Sequence, residues 1–273
     1  MAWDLKRVKK EEIKPEQFWK KPTEIIHKTG LKVLAWGEPE VGKTHFALTF
    51  PEPVYVVDTD LGVAPLLAKP EFRDKDIRIY DAVKLDLEKD EVDPIGSLEM
   101  LEKALTALRD VKYGTIVIDT ITDIWQWIGA WLEVVATRRT QTGQPYQFEW
   151  GKANMRYRKL VLRLMAKPIN VVLIAQPIEV YDAQGHPTGT FRPRAQRQTA
   201  HMVDIVLHLK KEYDPTTKTY KYVSEMTKCR FQRGYNKTIE NVTYDKLVKI
   251  LKEDLGITVL PVSEPPKREA VKQ

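Results

Sequence analysis

The chain has 273 residues, 42% of them hydrophobic and 30% charged, with a net charge of +6 and a pI near 9.1, which suits one sizeable α/β core and points toward a polyanionic partner. A lone cysteine, Cys229, excludes an internal disulfide framework and suits a reducing compartment. No apolar run is long enough to span a membrane.

The first residues, Met1 to Arg7, run into charge and not into an apolar stretch, so no signal peptide is expected and the cytoplasm is the expected compartment. Residues 1–27 carry Pro15, Pro22 and the isolated aromatics Trp3, Phe18 and Trp19, and read as an N-terminal extension. Phe18 and Trp19 would either dock on a neighbouring subunit or cover the edge of their own domain. Residues 28–258 read as the core and residues 259–273, rich in Pro and charge, as a disordered tail.

The core opens with the apolar run Leu31 to Trp36 and then Gly37-Glu38-Pro39-Glu40-Val41-Gly42-Lys43-Thr44, which fits G-x-x-x-x-G-K-[ST]. Two glycines let the backbone curl so that successive N–H groups face a polyphosphate, and the helix that starts at Lys43 adds its positive end. In that arrangement Lys43 reaches the β- and γ-phosphates, and the Thr44 hydroxyl binds Mg²⁺. A nucleotide and Mg²⁺ are therefore the expected ligands.

Pro53 to Asp60 reads as a buried strand ending in carboxylates, and an open parallel sheet binds its ligands outside such strand ends. Asp76 to Asp81 is a further short strand, and Pro94 to Asp110 places Ile95, Leu98, Leu101, Leu105 and Leu108 at helical spacing. Thr115 to Thr120 is an apolar strand ending in an acid and a hydroxyl, so that Asp119 would hold Mg²⁺ through water opposite Thr44. The helix from Ile121 to Arg138 has apolar residues on two strips, the second made of Trp127, Trp131 and Val134, so it is expected either to be deeply buried or, the preferred reading, to be covered by another subunit. Residues 139–149 read as a polar loop.

From Trp150 to Lys167 a helix lines up Lys152, Arg156, Lys159, Arg163 and Lys167 as a basic stripe, which is a solvated face, an anion surface or a row reaching a neighbour's nucleotide. A strand then delivers Gln176 to the same edge as Asp60 and Asp119, where a glutamine can sense a γ-phosphate. Residues 178–201 combine Gly185, Pro187, Gly189 and Pro193 with Phe191, Arg192, Arg194 and Arg197, and read as a long, mobile, basic loop. Two more strands, Met202 to Lys211 and Lys218 to Arg230, turn at Asp214-Pro215, and Thr243 to Leu255 closes the core as a helix. His186, His201, His208 and Cys229 share no metal-ligand spacing, and no G-x-S-x-G is present, so neither a zinc site nor acyl-hydrolase chemistry is expected.

Taken together, the phosphate loop, Val56-Val57-Asp58-Thr59-Asp60, Ile116-Val117-Ile118-Asp119-Thr120 and Val171-Val172-Leu173-Ile174-Ala175-Gln176 resemble a RecA-like ATPase, and specifically the phage and archaeal-virus ATPases of single-strand annealing and recombination, over roughly residues 28–255. The resemblance implies an α/β, RecA-like P-loop NTPase fold: a mostly parallel central sheet flanked by helices, with antiparallel strands added at the C-terminal side. Thr120, and not Glu, follows Asp119, so the catalytic acid typical of AAA+ proteins is missing there. In RecA-like proteins that acid ends the neighbouring strand, which makes it Asp60 here, where the family more often has Glu. The resemblance further implies that the loop after Gln176, with Arg192, Arg194 and Arg197, binds single-stranded DNA. It also implies that the 139–149 loop assists, and that Lys228 and Arg230 reach across an interface to a neighbour's ATP in a ring or filament. The expected function is a DNA-dependent ATPase of recombination or strand annealing, acting in the host cytoplasm if viral. The alternative is a KaiC-like regulatory or assembly module that uses ATP as a switch for protein partners.

Overall fold

The computed structural model describes residues 30–137 and 145–259. The expected extension 1–27, most of the tail 259–273, residue 138 at the end of the expected helix and residues 139–144 of the polar loop lie outside the described residues.

In chain order, β1 (Lys32–Trp36), α1 (Lys43–Leu48) and β2 (Val54–Asp58) lead through a 3₁₀ turn at Ala64–Ala68 and a short α2 (Pro70–Arg73) to β3 (Ile77–Asp81). A small hairpin of β4 (Leu85–Asp86) and β5 (Glu91–Val92) precedes α3 (Pro94–Ala107), which starts where the Asp93 side chain accepts from the Gly96 N–H at 2.8 Å. Next come β6 (Thr115–Asp119), α4 (Ile121–Thr137), α5 (Trp150–Met165) and β7 (Asn170–Ala175). The chain continues through a hairpin of β8 (Pro177–Tyr181) and β9 (Pro187–Pro193) and a short α6 (Thr199–Met202). It ends in β10 (Ile205–Asp214), β11 (Thr219–Cys229), β12 (Thr238–Glu240) and α7 (Tyr244–Leu255).

Eight strands form the main sheet in the order β12-β11-β10-β1-β7-β6-β2-β3, with β10 through β3 mutually parallel, β11 antiparallel to β10 and β12 antiparallel to β11. Successive side chains of a strand point to opposite faces, and both faces are covered. Leu34, Trp36, Ile116, Ile118, Val171 and Leu173 join Leu98, Leu101, Ile124, Ile128, Tyr157 and Leu160 of α3, α4 and α5. On the other face Val33, Ala35, Val117, Val172 and Ile174 meet Phe46 and Leu48 of α1 and Leu247 and Leu251 of α7. Burial of each such Leu or Ile contributes about 1.5–3 kcal/mol, which is why the central strands read as unbroken apolar runs and not as alternating ones. The fold is a three-layer, RecA-like P-loop NTPase architecture, with the antiparallel strands on the C-terminal side as expected.

Register sets the functional edge. Asp58 pairs with Asp119, Asp119 with Ile174, and Ile174 with Ala35, so four strand ends stop on one level. Whatever follows those residues shares that edge, namely the loop from Gly37, the Thr59–Asp60 turn, Thr120 and Gln176.

One expectation is corrected, and the faces of two helices are filled in. The segment 178–201 is no long irregular loop, because β8 and β9 pair antiparallel and Gly185, with φ of 85°, closes the turn that Asp182 caps through its bonds to the Gln184 and His186 N–H groups. The glycine and prolines that suggest a loop are turn and edge residues of a hairpin. In helix α4, Ile121, Ile124, Trp127, Ile128 and Leu132 are buried in the core it shares with α3 and α5, Trp131 lies under the Arg156 guanidinium at 4.6 Å, and Val134 is 38% exposed. The basic stripe of α5 is mostly consumed internally. Arg163 pairs with Glu102 at 2.5 Å, Lys152 with Glu149 at 3.6 Å, and the Lys167 ammonium donates to the Leu108 and Arg109 carbonyls at the end of α3.

Candidate nucleotide site

The phosphate loop leaves β1 over a stacked pair, Trp36 and His208, whose rings lie 3.7 Å apart and nearly parallel. At Gly37 a side chain is impossible, since a Cβ would sit 2.1 Å from the Leu209 carbonyl oxygen. Gly42, at φ 87°, turns the chain into α1, where its carbonyl accepts from the Phe46 N–H. Between them Glu38, Pro39, Glu40 and Val41 form the crest, with Glu40 itself at φ 63° and paired through its carboxylate to Lys211 of β10 at 2.9 Å. The half-buried Lys43 ammonium donates to the Gly37 and Glu38 carbonyls at 2.9 and 2.7 Å. Burial holds its pKa below the ordinary lysine value, while the carboxylates of Asp119, Glu38 and Asp60 act in the opposite sense.

Thr44 and Asp119 come together as the sequence suggests: the Thr44 hydroxyl donates to Asp119 Oδ2 at 2.7 Å. Asp119 is buried, and its pKa is pushed up to about 7, first by desolvation and then by Asp60 and Asp58, against the hydrogen bond from Thr44 and the charge of Lys43. Asp58 and Asp60 divide the labour at the end of β2. The buried Asp58 carboxylate accepts from the Asp60 and Val63 N–H groups at 3.2 and 3.0 Å, which fixes the turn. Asp60, two residues past the strand, is exposed and accepts from the Gly62 N–H. Partial desolvation, then the charge of Asp58 beside it, pushes its pKa up to about 6.

A group the sequence did not single out links two strand ends. Asp123, in the first turn of α4, receives the hydroxyls of Thr59 and Thr120 at 2.6 and 2.7 Å. One residue earlier, the Thr122 hydroxyl accepts from the Gln176 N–H at 3.0 Å. The Gln176 carbonyl in turn accepts from the Arg194 N–H at 2.7 Å, so Gln176 stands between α4 and the base of the β8–β9 hairpin. Lys228 and Arg230 do not join this edge in their own chain. Lys228 donates to the Ala200 and Val203 carbonyls, and Arg230 pairs with Asp204 at 2.9 Å and donates to the His201 carbonyl, all at the start of β10, on the opposite edge of the sheet.

A family model described as an AAA domain matches residues 29–234. The chain belongs to this AAA domain family. No curated protein matches it. Among solved structures it is similar to a KaiC-like protein from the hyperthermophilic archaeon Pyrococcus horikoshii OT3, at 17% identity over 78% of this chain and 85% of that one, with a TM-score of 0.41. As an AAA domain protein with a P-loop ATPase fold, the chain has Thr120 after its acid, and the hydroxyl of Thr120 is committed to Asp123.

The residues present fit Mg²⁺ and a nucleoside triphosphate. Thr44 and Asp119 offer the hard oxygen donors that Mg²⁺ takes, and a buried carboxyl held near pH 7 by desolvation gains most from a nearby cation. Beside the loop opens a cavity of about 610 Å³, walled by Leu66, Lys69, Leu209, Tyr222, Asn241 and Thr243, which has room for a nucleoside. Most of those walls come from β10, β11 and the turn before α7, far along the chain from the loop, and no local signal marks them.

The raised carboxyl gives a pH signature. A carboxyl whose folded-state pKa exceeds its unfolded value binds protons that the unfolded chain has already lost. Stability from Asp119 is therefore fully present at low pH and lost as pH climbs from about 4 through about 7. Without Mg²⁺, the thermal midpoint of the wild type is expected to fall more between pH 5 and 8 than that of Asp119→Asn. Parallel curves for the two proteins would mean that Asp119 titrates as an ordinary surface acid.

Proposed function

We propose that the chain hydrolyses Mg-ATP and couples that cycle to single-stranded DNA, in the manner of the phage and archaeal-virus annealing and recombination ATPases that its motifs resemble. The supporting observation is the position of Gln176. Its two backbone bonds tie it to Thr122 in the first turn of α4 and to Arg194 at the foot of a hairpin that carries Phe191, Arg192 and Arg194. Phe191 is 48% exposed, Arg194 and Arg197 are exposed, and Tyr146 and Phe148 add a stacked, exposed pair on the segment before α5. Exposed aromatics among arginines suit a strand of stacked bases and phosphates.

In this reading Lys43 binds the β- and γ-phosphates and stabilises charge on the transferring phosphoryl group, while Thr44 and Asp119 would hold Mg²⁺, which would supply further charge neutralisation there. Asp60 orients the attacking water and takes its proton as oxygen bonds to the γ-phosphorus and the bond to the ADP oxygen breaks. A carboxyl near pKa 6 is matched to that task close to neutral pH. Gln176 reads the γ-phosphate and passes its presence to the hairpin. The protein would work in the cytoplasm as a ring or filament, with Lys228 and Arg230 released from their bonds around α6 to serve a neighbour's ATP.

Replacement of Arg192, Arg194 and Arg197 together by Ala is expected to weaken single-strand binding and flatten its salt dependence, by about 0.7 in log–log slope for each phosphate no longer neutralised. Phe191→Ala is expected to cost about 1–3 kcal/mol with the slope unchanged. Filter binding of a labelled oligonucleotide across a salt series, with ATP and a non-hydrolysable analogue, reads both. Wild-type affinity and slope in the triple variant would remove the hairpin as the DNA contact. Absence of binding by the wild type with any nucleotide would favour a KaiC-like switch acting on protein partners.

A further inference from the structure

Two adjoining cavities, of about 580 and 210 Å³, share Trp125, Trp150, Arg192 and Ala195. Trp125 is a fixed platform. Its ring meets Tyr157 edge-on at 5.4 Å, and the buried Tyr157 hydroxyl bonds to Thr199 at 2.7 Å, which locks α4, α5 and α6 together. Trp150, the first residue of α5, is tilted against Trp125 with centroids 6.2 Å apart and keeps 38% of its surface exposed. Amides complete the walls: Gln147, Asn154 and Gln196, of which the last two bond to each other at 3.2 Å. Arg197 lines the larger cavity and Arg194 the smaller, and among the described residues no carboxylate lines either.

Guanidinium groups with no acid beside them disfavour cationic ligands, and together with indole faces and amide donors and acceptors they suit a flat, neutral heteroaromatic ring joined to phosphate. We propose that this double cavity is a nucleobase pocket, in which one unpaired base of a single strand lies against Trp150 and Trp125 while Arg192 and Arg197 hold the phosphates beside it. The proposal rests on the single-strand reading above and adds where the strand is gripped. It also places the grip on the coupling route, because Trp125 lies on α4 one turn beyond Thr122, the residue that holds Gln176, and Arg192 is two residues from Arg194. A base seated there bears on both elements that flank Gln176.

The test is fluorescence anisotropy of a labelled oligothymidylate against an oligonucleotide of the same length and charge that carries abasic sites, with ATP present. The wild type is expected to bind the abasic strand about five- to a hundredfold more weakly, the range of base–aromatic stacking. Trp150→Ala is expected to lose most of that difference, keeping only the part that stacking on Phe191 supplies, and Trp150→Phe to recover most of what is lost. Circular dichroism checks that the variants are folded. A wild type that binds both strands equally well would overturn the pocket and leave the strand reading standing. The pocket is overturned in the same way if Trp150→Ala and Trp150→Phe both keep the full wild-type difference. If the wild type binds neither strand, both readings fall together. Thymidine monophosphate at millimolar concentration is expected not to displace the strand, and complete displacement would make the cavity a site for free nucleotide instead.

Discussion

Lys43→Ala is expected to lose ATP binding by at least about a hundredfold while the fold persists. The ammonium makes its two bonds to carbonyls of its own loop, Gly37 and Glu38, so its removal leaves the apolar cores on both faces of the sheet intact. What the substitution removes is a cation placed among Asp119, Glu38 and Asp60, where phosphate oxygens would otherwise meet like charge. Hydrogen bonds to a charged group are worth about 1.5–3 kcal/mol each, so two phosphate contacts account for the loss. Titration with a fluorescent ATP analogue reads the affinity and thermal unfolding reads the fold. Unchanged affinity would remove the phosphate-loop assignment.

Asp60→Asn is expected to separate binding from chemistry. The amide is nearly isosteric and can still accept from the Gly62 N–H, so ATP affinity should stay within a few-fold of wild type. Turnover should fall by about 10²–10⁴, the contribution of a positioned general base. The base must be ionised to act. Wild-type turnover is therefore expected to rise with pH through about 6, and the variant should lack that limb. Near-normal turnover would move the catalytic role off Asp60. Asp58 is poorly suited to inherit it, because its carboxylate is buried and already accepts two backbone N–H groups.

Much of the site was legible because its signals are local. A phosphate loop is one contiguous run, and β1, β2, β6 and β7 are covered on both faces, so each appears as an apolar run with its functional residue at or just beyond the end. Thr44 and Asp119 lie 75 positions apart, yet the strand order brings them to 2.7 Å as the motif order implied. Signals that depend on tertiary partners were not legible. The sequence does not say that Arg163 will find Glu102, or that Lys228 and Arg230 will close the end of α6. Nor does it say which part of an aromatic helix face α3 and α5 of the same chain will bury. The β8–β9 hairpin was hidden for a different reason: its strands are at least partly exposed and carry the glycines and prolines of a loop, and only pairing makes them strands. Asp123 was missed because its partners, Thr59 and Thr120, lie at the ends of two different strands and mark no motif with it.

The most direct test is the rate of phosphate release from ATP with and without a saturating single-stranded oligonucleotide at low salt. Wild-type turnover is expected to rise several-fold or more on addition of the strand. The increase should vanish in the triple variant at Arg192, Arg194 and Arg197, and both rates should collapse in Asp60→Asn. Equal wild-type rates with and without DNA, at a concentration where the oligonucleotide would be bound, would contradict a nucleotide cycle coupled to single strands.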